Sequence, residues 1–252
     1  GFRTIEARGD QLLLNGEPIY LTGFNRHEDS PRTGAATDLE TTRRDLLEMK
    51  AAGANFVRLC HYPHHPGELD LCDELGLLAM GEIPLYWWDG LAEGEEASAR
   101  KLAAARRQLS TMIRRDINHP GLIFWSVSNE TEEFRPEVVA GNRQLVQHAK
   151  SLDPTRLAVH VSNHWRESHP GAFDVDDLIC VNSYPSLDRR GFRGEVDYDL
   201  AQSTGIWRER LAELHARYPG KPILVTEFGY ASLQGVYGSG FGEDTQAAAI
   251  EA

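Results

Sequence analysis

Short apolar runs return along the chain, and most of the intervals between them carry helical periodicity. Residues 19–24, 55–60, 77–83, 122–130, 157–162, 178–184 and 222–228 read as strands. The run LIFWSVSNE at 122–130 holds no charge until its last residue, which predicts a strand buried on both faces. Helices are expected over 39–52 with Asp38 as cap and Gly53 as stop, and over 68–75 between Pro66 and Gly76. Others are expected over about 95–117, from 136 to about 151 before Asp153-Pro154, and over 206–218. Residues 243–252 read as the opening turns of one more. Strands alternating with helices imply right-handed crossovers and a parallel sheet. The expected fold is therefore α/β, a (β/α)8 TIM barrel that stops after its seventh strand and the start of the seventh helix. Residues 1–14 have the alternation of an edge strand and read as the tail of a preceding junction, with 15–252 as the barrel domain.

A chain of 252 residues is close to the typical barrel length of about 250. The net charge of −12, without a basic stripe or polybasic run, argues against a nucleic-acid or anionic-membrane partner. No apolar run approaches the roughly 20 residues that span a bilayer. Cys60, Cys72 and Cys180 lack paired spacing and read as core thiols, neither a disulfide framework nor a zinc set. Gly1 is not an initiator Met, so the sequence reads as a cut piece, and both a cytoplasmic and an exported location stay open.

Chemistry-bearing residues gather where the strands run out. Asn25-Arg26-His27-Glu28-Asp29 follows the first strand, and Arg58 and His61-Tyr62 close the second. Glu82 ends the third, Asn129-Glu130 the fourth, Asn182-Ser183-Tyr184 the sixth and Glu227 the seventh. In a TIM barrel all these ends lie at one mouth, where sites are built. Two carboxylates converging there suit glycoside hydrolysis: one delivers a proton to the leaving oxygen, while the other attacks the anomeric carbon or activates water.

The stretches GFNRHEDSP (23–31), NFVRLCHYPHHP (55–66), LCDELGLLAMGEIP (71–84), HPGLIFWSVSNE (119–130) and PILVTEFG (222–229) resemble the catalytic barrel of glycoside hydrolase family 2. That family includes β-galactosidases and β-glucuronidases. The resemblance implies Glu130 as general acid/base and Glu227 as nucleophile of a retaining, exo-acting β-glycosidase. It further implies Asn129 on the sugar 2-hydroxyl, Arg58 and Tyr184 on the nucleophile, and His27, His61 and Asp29 lining the sugar site. Its substrate would be a β-linked oligosaccharide or glycoconjugate, with no cofactor and no metal, and β-sandwich domains and a homo-oligomer would accompany the barrel. Two departures stand out. Glu82 is followed by Ile83-Pro84, not the Glu-x-His of the β-galactosidase magnesium site, and Pro185-Ser186-Leu187 replace the tyrosines of the glucuronidases.

Alternatives remain at this stage. An endo-acting glycanase of the same barrel group would use the Trp-rich loop after the third strand as a cleft wall, and a non-catalytic sugar-binding barrel would keep only the fold. Trp87, Trp88 and Trp165 are candidates to stack on sugar rings or to fill the core, and Trp125 reads as core. Glu82 would support either Arg58 or the sugar.

Overall fold

The computed structural model describes residues 1–36, 38–166, 168–185 and 200–251. The chain opens with β1 (Ile5–Arg8), β2 (Gln11–Leu14) and β3 (Glu17–Pro18), an antiparallel three-stranded sheet. Asn15 and Gly16 connect β2 to β3 with φ of 54° and 85°, the two positive values a tight hairpin turn requires.

The barrel then alternates β4 (Gly23–Arg26), α1 (Leu39–Ala51), β5 (Phe56–Leu59), α2 (Pro66–Leu75), β6 (Leu78–Glu82), α3 (Glu95–Asp116), β7 (Leu122–Asn129), α4 (Pro136–Leu152) and β8 (Leu157–Ser162). It continues with β9 (Ile179–Asn182), α5 (Leu200–Arg217), β10 (Ile223–Glu227) and α6 (Glu243–Glu251). Seven strands pair in the order β10-β9-β8-β7-β6-β5-β4, every pair parallel. The sheet curls until its outer strands meet, where the Asn25 amide on β4 donates to the Thr226 carbonyl on β10 at 3.0 Å.

Local chemistry explains the boundaries. Asp38 caps α1 by accepting the Thr41 N–H at 2.7 Å, and α2 begins at Pro66 and ends on Gly76 in the left-handed region. All eight residues of β7 are buried, as its unbroken apolar run requires. The first barrel strand starts at Gly23, later than the expected 19: a Cβ there would stand 1.9 Å from the Phe56 carbonyl oxygen, so only glycine permits this approach to β5. Helix α5 starts before the expected 206, because its first turns carry little apolar periodicity.

Side chains on the barrel strands divide between two faces. Val57, Ala79, Trp125 and Ala158 pack outward with Leu46, Leu69, Leu109 and Val146 of the helices. Phe56, Met80, Phe124, Val159 and Cys180 pack inward, together with Ile5 and Leu12 of the hairpin. The hairpin thus seals the N-terminal floor, and Arg3 fastens it by donating to the Pro120, Leu122 and Thr155 carbonyls. Above this apolar layer, toward the C-terminal mouth, the interior turns polar.

Candidate active site

Arg58 is the hub of the mouth. It projects from β5 with 1% of its surface exposed. Its Nη2 donates to Glu82 Oε2 at 2.8 Å and to Asn129 Oδ1 at 2.7 Å, while its Nη1 donates to Glu227 Oε1 at 2.6 Å. Burial opposes its charge, but Glu82 and Glu227 outweigh burial and push the guanidinium above its usual range. Glu82 is fully buried, which would favour its neutral form, yet Arg58 and His61 hold it below the usual carboxylate value. Its Oε1 meets His61 Nδ1 at 2.6 Å, and its Oε2 accepts the Ser126 hydroxyl at 2.7 Å. Of the two roles open to Glu82, the structure favours support of Arg58.

Glu227 ends β10. Besides Arg58 it accepts the Tyr184 hydroxyl on Oε2 at 2.5 Å, and His61 Nε2 lies 3.7 Å from its Oε1. Burial, then the bond to Glu227, raise the Tyr184 phenol well above its ordinary value, so it stays a donor.

Glu130 follows β7 and takes φ of 52°, a left-handed turn that costs a non-glycine residue on the order of 1–3 kcal/mol. Its N–H donates to the Val161 carbonyl at 2.8 Å, pinning the turn to β8. Among the described residues its carboxylate meets only uncharged donors: Asn182 Nδ2 at 2.8 Å on Oε1, with Trp87 Nε1 and Asn163 Nδ2 each at 3.2 Å on Oε2. Asn182 ties the two halves together. It also donates to Asn129 Oδ1 at 3.0 Å and accepts the Thr226 hydroxyl at 2.8 Å, beside Glu227. Among the described residues both side-chain bonds to Asn129 fall on its amide oxygen, so its NH2 group is the end left for another acceptor.

Of the expected site residues, Glu130, Glu227, Arg58, Asn129, His61 and Tyr184 therefore belong to one continuous network. His27 stands at its edge, its ring 5.3 Å from that of His61, and burial followed by the His61 charge lowers its pKa. Asp29 is exposed and enters none of these hydrogen bonds among the described residues. Arg26, from the same polar run, turns away into the helical shell, where Glu68 and Asp45 hold it.

Trp87 is exposed and reaches Glu130, whereas Trp88 and Trp165 are buried at 3% and 4% in the apolar core. Trp125 is core, as its mid-strand position predicts. In the sequence Asn182 stands among the polar strand ends without an assigned role, and Ser126 and Asn163 are not singled out. Asn182 carried a signal, its place at the end of a buried strand, while the other two acquire a role only through strand adjacency.

Two groups of metal-ligating type are close together, His27 with Cys60 and His61, and Glu28 with His64 and Glu68. Burial pushes the Cys60 thiol up to about 12.

Parallel strands that deliver one acid from β7 and another from β10 to a common arginine–amide network define a TIM barrel of the paired-carboxylate class. The chain belongs to glycosyl hydrolase family 2, whose TIM barrel domain matches residues 5–247. A beta-glucuronidase of Sus scrofa is 32% identical over 238 residues, covering 94% of this chain and 35% of that protein. One from Paenibacillus borealis is 32% identical over 243 residues, 94% of this chain and 39% of its own length. The solved beta-D-glucuronidase of Dictyoglomus thermophilum superposes with a TM-score of 0.90 at 30% identity, over 100% of this chain and 44% of that one. The Ruminococcus gnavus enzyme in complex with uronic deoxynojirimycin does so at 0.89 and 26% identity, over 100% and 43%. The chain thus spans less than half the length of these relatives.

Proposed function

We propose that this barrel hydrolyses the β-linked glucuronide at the non-reducing end of a glycoconjugate by double displacement. The observation that carries the reading is the unequal company of the two acids. Glu227 is held by a guanidinium and a phenol, partners suited to a carboxylate that attacks carbon. Among the described residues Glu130 is met only by neutral N–H groups, a setting compatible with giving a proton in the first step and taking one from water in the second. Asn129, with its NH2 group uncommitted, takes the sugar 2-hydroxyl, and His27, His61 and Asp29 line the sugar subsite. The relatives' shared name, beta-glucuronidase, and the uronic ligand of one solved neighbour support a glucuronide over a galactoside.

A mechanism-based trap tests this on the intact protein. A 2-deoxy-2-fluoro glucuronyl fluoride should inactivate it, and peptide mapping should find the sugar on Glu227. A label on another residue would remove Glu227 from its role. Labelling by the galactosyl reagent alone would replace the substrate class and leave the mechanism standing.

A further inference from the structure

We propose that His27, Cys60 and His61 form a site for a thiophilic divalent cation such as Zn2+, and that the bound ion blocks the nucleophile. The ligand atoms of these three residues all lie within 4.8 Å of one another. His61 has the tautomer a metal ligand needs. Its Nδ1 sits 2.6 Å from the buried Glu82 carboxylate, which only accepts, so Nδ1 carries the proton and Nε2 presents a lone pair. A carboxylate behind a histidine in this way orients the ring and raises its basicity toward a metal.

The spacing fits a tetrahedron. Bonds of about 2.3 Å to sulfur and 2.0–2.1 Å to nitrogen require a sulfur–nitrogen edge of about 3.5 Å and a nitrogen–oxygen edge of about 3.4 Å. Cys60 Sγ lies 3.6 Å from His27 Nε2, and His61 Nε2 lies 3.7 Å from Glu227 Oε1. Glu227 Oε1 borders the site on the His61 side, outside the three-residue cluster, so water takes the fourth corner and the ion stands beside the nucleophile. The thiol, which in the metal-free protein lies 3.5 Å from the Arg26 carbonyl, releases its proton to solvent on binding. The added thiolate, Glu82 and Glu227 carry three negative charges against one on Arg58, so a dication leaves the cluster neutral.

The second group, around His64, fails on the same chemistry. His64 Nε2 faces the Cys60 carbonyl at 3.1 Å and so carries a proton, while Nδ1 faces Glu68 Oε2, already occupied by Arg26 Nη1 at 2.9 Å. Both nitrogens of the His64 ring are thus engaged within the protein, and the group lacks the open imidazole nitrogen that His61 offers.

Coordination stands apart from the proposed reaction, but the inhibition it causes rests on Glu227 acting as nucleophile, so binding and rate are read separately. Co2+ titrated into the intact protein should give a near-ultraviolet thiolate-to-metal band and the visible bands of a tetrahedral ion, both displaced by Zn2+. Cys60→Ser, with Cys60→Ala as a second variant and circular dichroism to confirm folding, should lose the thiolate band. Zn2+ should inhibit the wild type reversibly, with chelator restoring the rate, and should need roughly tenfold more or higher to inhibit Cys60→Ser. No thiolate band, or a band that survives in Cys60→Ser, overturns the site. A band that depends on Cys60 without inhibition keeps the site and overturns the block at Glu227.

Discussion

Arg58 and Glu227 lie 169 positions apart in sequence and meet at 2.6 Å, and the same guanidinium neutralises Glu82 at the barrel's centre. One side chain thereby couples the polar interior to the acid at the mouth. Removing it leaves Glu82 buried without its cation, and breaking a buried pair from one side costs about 3–5 kcal/mol. Arg58→Met is expected to lose that much in urea unfolding and to lose turnover as well. An activity loss without a stability loss would show that Arg58 acts on substrate alone.

The role proposed for Glu130 separates two chemical steps. With Glu130→Ala, substrates whose leaving group needs no proton should still form the covalent intermediate in a rapid burst, while its hydrolysis slows. Azide, which attacks without general-base help, should rescue the second step and yield a glycosyl azide of retained configuration. Equal slowing of all substrates, with no rescue, would argue that Glu130 is not the proton carrier.

Behind that loop lies a buried set with a pH signature. Burial pushes Glu133 up to about 7 from its ordinary 4.5, against the pull of His160. His160 is itself raised: burial lowers it, but Asp176 at 2.8 Å and Glu133 at 3.7 Å outweigh that, with Lys221 opposing and His164 also facing the acid. Both groups bind protons more tightly when folded. Glu133 therefore imposes no charge penalty below pH 4.5 and a growing one as pH rises to about 7. The His160 contribution is whole below its ordinary 6.5 and is lost as pH rises through its raised value. Unfolding free energy should fall across this range, by on the order of 3 kcal/mol from Glu133 alone. Glu133→Gln should flatten the part between pH 4.5 and 7, and an unchanged profile would refute the assignment.

Gly141 on α4 makes room for Trp88. A Cβ there would lie 2.4 Å from the Trp88 ring, which cannot retreat because it is buried at 3%. Gly141→Ala should destabilise by about 1–3 kcal/mol. Because Trp87 is the next residue, the hydrogen bond to Glu130 should loosen and kcat should fall with stability. Gly205→Ala, where a Cβ meets nothing, is the control.

Much of this was legible in the order of residues. A buried strand such as β7 has few sequence disguises, so its terminal Asn129-Glu130 could be read directly, and β10 with Glu227 likewise. The support around them was harder to see. Glu82 and Ser126 matter to one another only because β6 and β7 are neighbours, paired at those residues. Trp87 was one of three candidate tryptophans, and only the backbone of its loop, hydrogen-bonded to Asn129, selects it. The Glu133–His160–Asp176 set came from three separate segments without a spacing that announces it.

The hairpin stoppers the barrel's N-terminal end, so among the described residues the barrel is a vessel whose polar groups gather at the opposite mouth. Under the proposed function, substrate would enter and product leave by that mouth, with no chain threaded through the barrel. Alterations to Ile5 or Leu12 would weaken the base of that vessel while leaving the chemistry at its lip untouched.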